Sequence, residues 1–531
     1  MRATKMKKAI SKTQLLLAAM VCVALLLTAT SAFAAAPGIT GPTFNLTAQP
    51  AYITQPDGQM VYSWGYGCNG APTGFAPAAI SGTFCNSMQV PGPTLIVTEG
   101  QTVTINLLNG LPSAAGNTSI LFPGFQVASS GGVAGLLTQE AAPGGTVTYT
   151  FTASSPGTRA YYSGTQGDLQ VEMGLYGAII VLPKTIPAAC TSGLAAANLA
   201  VEGNWGEHDF RLAPAAYDHA KTCYDREYLF QFSEMDNNIH TQASAQVIAR
   251  TGCTAGAPGC SLQVPTEPYH PTYFLINGRS MPDDMDSNYA AEYPHQPYNG
   301  NPHMHPGEQV LIRVIGQGRW QHPFHEHGNH VRILGRDGNL ILSQTDPNSL
   351  AGPLLFTTTT TPGLAFDGIF YFTGRGLNWD MYGHNPKSSD SKATLPCVPD
   401  TNGYNTGVAA QSQINYFEWC QDHFKPVQVA PFGDVASGGP VTLPDPNLFT
   451  NGSWYGGSPY LGPDATTRAV GSTGTTPPSG TIANSPTTEA GFAYMWHSHN
   501  EREITTDNAF PGGMLMMMLV DSREFVIDES N

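Results

Sequence analysis

Two short histidine clusters carry the clearest chemistry in this sequence: His322-Pro-Phe-His325-Glu-His327-Gly and, far downstream, Trp496-His497-Ser-His499. Residues two apart in a β-strand project to the same face, so each His-x-His pair can aim two imidazoles into one cavity. Imidazole suits copper, zinc, iron or nickel. A single His-x-His is most often a surface or satisfied core pair; two of them in one β unit point to a metal site. The remaining candidates have simpler readings. His303-Met-His305 reads as a turn with two exposed imidazoles, and His330 as a packing or hydrogen-bonding neighbour of the main motif. Met514, Met516 and Met518 share one strand face and read as core filling rather than thioether ligands. Glu501, Glu503 and Asp507 read as a solvated loop.

The elements that must position these histidines are strands. With 58 Gly, 42 Pro and only 12% charged residues, the chain is rich in turns and poor in long helical periodicity, which favours an all-β sandwich. Runs such as Thr94 to Thr98, Thr102 to Asn106, Thr146 to Phe151 and Gly177 to Leu182 fit one sandwich over about 40–185. A connector at 186–264 follows, with a helical stretch near Ala195 to Ala200 and a buried strand at Tyr228 to Phe232. A second β unit over 265–525 opens at Tyr273 and returns at Met514 to Val520. Its strands are interrupted by a Gly-, Pro-, Ser- and Thr-rich insertion at about 376–490, too long for an ordinary loop. The Thr357 to Thr361 run fits an edge strand.

Residues 1–34 read as a signal peptide: five basic residues, an apolar run from Leu15 to Leu27 and a small-residue site at Ala32-Phe33-Ala34. The expectation is an exported protein, periplasmic or extracellular, with no transmembrane segment. Removal of a leader with five basic and no acidic residues would take the formal charge from -16 to -21, which argues against nucleic-acid binding. Setting Cys22 aside leaves eight cysteines, an even number that an oxidising compartment would pair into disulfides. Sequence proximity is the simplest pairing, but composition alone does not choose among the connectivities.

Met88-Gln-Val-Pro-Gly-Pro-Thr-Leu-Ile-Val-Thr-Glu-Gly-Gln-Thr-Val resembles the opening of the first domain of the multicopper oxidases, and His322 to Gly328 resembles that family's histidine-rich motif. The resemblance extends through Pro362 to Phe370 and His497 to Val520. It implies two cupredoxin-like Greek-key sandwiches, the second with a long insertion, and copper as the cofactor. Similarity to the two-domain branch implies a homotrimer. The family's blue copper, held by two histidines and a cysteine thiolate, takes electrons from substrate, and a three-copper cluster held by four His-x-His pairs reduces dioxygen. By motif position His325, His327, His497 and His499 would be cluster ligands, and His322 the first histidine of the blue copper.

The chain departs from that pattern in both domains. Ser498 stands where the family has its thiolate, no histidine follows His499, and Glu503 lies near the expected partner. Leu121, Pro123, Tyr162 and Gly164 align with the four histidines of the first domain. Two functions stay open: an oxidoreductase acting on a metal ion or small organic donor through a reduced copper centre without a blue site, or a non-catalytic cupredoxin that binds copper or serves a surface or structural role. Zinc as a structural staple is a third.

Overall fold

The computed structural model describes residues 36–77, 85, 87–192, 207–372, 398–401, 403–406, 457–461, 490–521 and 527. The leader, the stretch near Ala195 to Ala200, Cys397, Cys420 and most of the 376–490 insertion lie outside the described residues.

Strands between residues 38 and 182 form two five-stranded sheets. One runs Phe75–Ala76, Gly38–Thr40, Gly92–Thr98, Tyr176–Leu182, Gly157–Tyr162; the other runs Met60–Cys68, Thr43–Thr54, Thr102–Asn109, Thr146–Thr152, Ala128–Ser130. Alternation drives this packing. In Thr146–Thr152 the side chains of Val147, Tyr149 and Phe151 are buried while the intervening threonines lie towards solvent, so one face joins a core that includes Trp64, Leu95 and Ile105. Parallel neighbours occur within both sheets, as between Gly92–Thr98 and Tyr176–Leu182, so the chain crosses between layers in a Greek-key, cupredoxin-like sandwich.

The second sandwich stacks a seven-stranded sheet on a six-stranded one. The first runs Tyr273–Ile276, Arg226–Met235, Gln309–Gly316, Ala365–Tyr371, Val331–Arg336, Asn339–Leu340, with Leu354–Leu355 beside Val331–Arg336. The second runs His303–Met304, Leu515–Asp521, Ala490–Ser498, His322–Glu326, Thr357–Thr360, with Gly457–Leu461 beside Ala490–Ser498. Phe230, Phe232, Phe324, Trp496, Met514, Met516 and Met518 share the core between these sheets, so the methionine row fills space as its alternation suggests. Thr357–Thr360 lies at a sheet edge.

Two elements differ from the sequence reading. Arg226–Met235, placed in the connector by its position, is buried along its whole length and pairs in parallel with Gln309–Gly316 inside the second sandwich. Asn237–Ala249 is a helix that periodicity missed: Ala, Gln, Ser and Thr dominate it, and only Ile239, His240 and Ala243 are buried. Its start is fixed locally, because the Asp236 carboxylate accepts from the Asn238 amide. Disulfides join Cys68 to Cys85, Cys190 to Cys223 and Cys253 to Cys260, each the nearest pairing in sequence. Among the described residues no helix is long and apolar enough to cross a membrane.

A buried polar clasp ties the two sandwiches together. Asp367 of the second accepts from the Thr158 amide at 3.1 Å and hydroxyl at 2.6 Å in the first, and from the Tyr217 hydroxyl at 2.6 Å. Arg313 reaches Asp367 at 3.4 Å and Glu227 at 2.8 Å, so the buried charges neutralise one another. Asp367→Ala should therefore cost about 3–5 kcal/mol in denaturant unfolding, because it leaves the Thr158 amide and hydroxyl and the Tyr217 hydroxyl without their acceptor in a dry interface while Arg313 keeps only Glu227. Loss below about 1 kcal/mol would show that the clasp adds little.

Candidate metal centre

The site is built by the register of two antiparallel strands, in which Phe324 lies opposite Ser498, His325 opposite His497 and Glu326 opposite Trp496. Alternation puts His325 and His497 on one face, and the chain just past each strand end adds His327 and His499. The nearest ring centroids are 4.8 Å apart, for His325 with His327 and with His499, and His327 to His497 is 5.2 Å. One ring nitrogen from each of His325, His327 and His497 lies within 4.8 Å of the others. His499 sits at the mouth of the group, its side chain 48% exposed.

The protonation states suit a cation. Burial, reinforced by His497 and His499, pushes His325 down to about 4. Burial also lowers His497. Both are neutral at neutral pH and keep a lone pair for a metal. Each is also oriented from behind: His497 Nδ1 donates to the Ser498 carbonyl at 2.7 Å, and His325 Nδ1 lies 2.7 Å from the Thr357 hydroxyl. His497 Nε2 is thereby left without a proton, 3.3 Å from His327 Nε2. Outward donation to a carbonyl or hydroxyl is how ligating imidazoles are held in one tautomer.

The opposite face of the same strands carries His322, Phe324, Glu326, Trp496 and Ser498, all buried. His322 is three residues from His325, an odd spacing that sends it away from the cluster. Its Nδ1 donates to Glu503 at 2.8 Å and its Nε2 to Glu234 at 3.0 Å. Burial alone would lower this histidine, but the two carboxylates prevail and push it up to about 9. Glu503 also accepts from the Ser498 hydroxyl and from Asn500, while Glu234 accepts from the backbone of Arg319 and Trp320. Glu503, read from sequence as part of a solvated loop, is thus a buried centre of this network. Glu326 faces the core, where burial holds its carboxyl well above the usual range and Thr358 donates to it.

His303 and His305 are also corrected by the structure, because neither is exposed. His303 Nδ1 meets Asp521 at 2.6 Å, and His305 Nε2 meets Glu207 at 2.5 Å. Glu207, His305 and Glu308 stand close enough to hold an ion, but Arg226 already bridges the two carboxylates. His330 packs edge-on to Phe356 beside the cluster. In the first sandwich, Leu121, Tyr162 and Gly164 line a cavity of about 520 Å³ shared with Gln317 and Pro362 of the second. A Cβ at Gly164 would meet Leu121 at 2.7 Å, so leucine occupies the space that a longer side chain at 164 would need.

Residues 79–186 match a family model described as multicopper oxidase. The match lies in the first sandwich and takes in about a fifth of the chain. Similar curated proteins are Multicopper oxidase MCE of Talaromyces pinophilus, 38% identical over 118 residues, and Laccase abr2 of Aspergillus fumigatus, 34% identical over 118 residues. Each alignment takes in 22% of this chain, and the chain covers only 18% and 19% of the two relatives. A blue copper oxidase from Nitrosomonas europaea superposes over 90% of this chain and 85% of its own, with 15% identity and a TM-score of 0.42. The multicopper oxidase relationship implies copper as the cofactor. The neutral, outwardly hydrogen-bonded imidazoles of His325 and His497, with the His327 ring beside them, fit that ion. The surroundings of His322 do not: both its ring nitrogens are protonated and committed to carboxylates.

The His322 triad generates a pH signature. Its folded value of about 9 lies above the ordinary histidine value near 6.5, so its contribution to stability is complete below about pH 6.5 and vanishes as pH rises through about 9. Unfolding free energy should fall by about 3 kcal/mol across that window. His322→Gln should flatten the dependence, and an equally steep profile in the variant would assign it to other groups.

Proposed function

We propose that this chain is an exported, copper-binding oxidoreductase of multicopper oxidase type, with a reduced copper centre held by His325, His327 and His497, completed by His499, and with no blue copper. The observation that carries this reading is the convergence of three imidazole nitrogens within 4.8 Å, where burial holds His325 and His497 neutral. Copper held there supplies one-electron exchange between its two common oxidation states. The protein's own part is positional. The Ser498 carbonyl and Thr357 hydroxyl orient two rings, burial keeps them unprotonated, and exposed His499 leaves an approach for a metal ion or small organic donor.

Absence of the blue centre follows from chemistry at His322 and Ser498. A hydroxyl lacks the soft donation of a thiolate, and this one is hydrogen-bonded to Glu503, which itself faces a protonated His322. Electrons would therefore enter directly at the histidine cluster. The same network favours a second reading, a non-catalytic cupredoxin that retains copper without turnover. Export rests on the leader-like first 34 residues, and assembly as a homotrimer remains part of the proposal through the two-domain resemblance.

Copper-loaded mature protein should give an electron paramagnetic resonance signal of imidazole-bound copper(II) without intense absorption in the red. A strong thiolate-to-copper band would overturn the absence of a blue site. The double variant His497→Ala/His499→Ala should lose stoichiometric copper, and Thr357→Val should weaken binding by about 10–100-fold because His325 loses its orienting partner. Unchanged copper content in the double variant would refute the ligand set. Oxygen consumption with manganese(II), iron(II) and phenols separates the catalytic reading from the non-catalytic one.

A further inference from the structure

Away from the histidines, the loop from Asn277 to Asn301 buries an unusual concentration of oxygen atoms with nothing to bond to. Asp284 is fully buried, yet neither of its carboxylate oxygens has a hydrogen-bond partner. The side-chain oxygens of Asn299 and Asn301, both buried, are likewise without partners. These residues are held close to one another. The Gly300 amide donates to the Asp284 carbonyl at 2.6 Å, and Asp284 Oδ2 lies 3.6 Å from where a Cβ on Gly300 would stand. The carboxylate therefore rests against the residue that separates the two asparagines.

The nearby cation acts on Asp284 through space but makes no hydrogen bond to it. Arg279 spends its Nε on the Gln296 carbonyl and its Nη1 on the carbonyls of Asp283, Asp286 and Ser287, with its guanidinium 4.4 Å from the centre of the Tyr293 ring. Its Nη2 has no hydrogen-bond partner and does not reach Asp284. Against this one positive charge stand Asp283, Asp284 and Asp286. A buried carboxylate that receives no hydrogen bond is costly, and orphaned buried oxygens of this kind call for an ion or ordered water.

We propose that Asp284, with the side-chain oxygens of Asn299 and Asn301, forms a binding site for a hard divalent cation of the calcium class. All the donors are oxygens, one charged and two amide, a set that suits calcium and offers nothing soft for copper. The loop is already fastened by Arg279, by the Gly300 amide and by the Asn277 amide donating to the Asn299 carbonyl at 2.6 Å, so little ordering would accompany binding. Without a cation, burial drives the Asp284 carboxyl well above its usual range, towards the neutral acid. The site also has a structural lever: a Cβ on Gly300 would lie 3.5 Å from Met516 Sδ, so the loop packs on the strand that pairs with the His497 strand.

The test is calcium binding by chelator-treated full-length mature protein, read by equilibrium dialysis with elemental analysis and by thermal unfolding. One bound calcium and a melting temperature raised by a few degrees over the chelated form are expected. Asp284→Asn, nearly isosteric and free of the buried charge, should fold, should lose binding by at least about tenfold, and should melt at the same temperature with or without calcium. His497→Ala/His499→Ala should keep calcium binding, which separates this site from the copper centre. Absence of bound calcium in the parent protein, magnesium binding without calcium binding, or full calcium binding by Asp284→Asn would each overturn the proposal; the first outcome leaves ordered water or a protonated acid to explain the loop.

Discussion

The registration of His325 against His497 is the constraint on which the rest of the centre depends. Because side chains alternate, that one pairing decides every neighbour: the cluster histidines fall on one face, while Phe324, Glu326, Trp496 and Ser498 fall on the other. A slip of one residue would drive imidazoles into the core and aromatic rings out of it. Phe324 and Trp496 are both completely buried between the sheets, so the hydrophobic core and the metal centre enforce the same alignment. The coordination geometry is in this sense a by-product of packing.

Charge is handled by a different rule. This chain has few ionic side chains, yet several of them are deep inside and grouped: Arg313 with Glu227 and Asp367, Arg226 with Glu207 and Glu308, His322 with Glu234 and Glu503. Each group closes a junction between segments distant in sequence. Such groups are poor contributors of net stability compared with apolar packing, but a misplaced partner leaves a bare charge in a dry interior, which strongly disfavours alternative arrangements. The clasp at Asp367 does this between the sandwiches, and the His322 triad does it between two strands and a loop.

Much of the fold was legible because its strands declare themselves locally. Thr146–Thr152 is a short run of β-branched and aromatic residues whose period of two survives in the structure, and Gln309–Gly316 is a mostly apolar run that becomes a central, buried strand. The histidine cluster was legible for the same reason. What escaped depended on contacts between residues far apart in the chain. His303 and His305 looked like turn residues because their acidic partners lie 218 and 98 positions away, and Glu503 looked solvated because its meaning comes from His322, 181 positions earlier. The helix at Asn237–Ala249 escaped for a simpler reason: it buries only Ile239, His240 and Ala243, too narrow a stripe to show a helical period. The parting of His322 from the cluster, by contrast, was available in advance from its odd spacing to His325.

The surroundings of Ser498 limit what a side chain at that position could do. A thiolate introduced at that position would arrive beside Glu503 and within one histidine of Glu234, gathering three anions around a single imidazolium. Each would raise the proton affinity of the others and keep the imidazole from offering a lone pair. A thiolate ligand at 498 would thus need accompanying exchanges at 503 and 234, because alone it would meet the carboxylates already closed on His322.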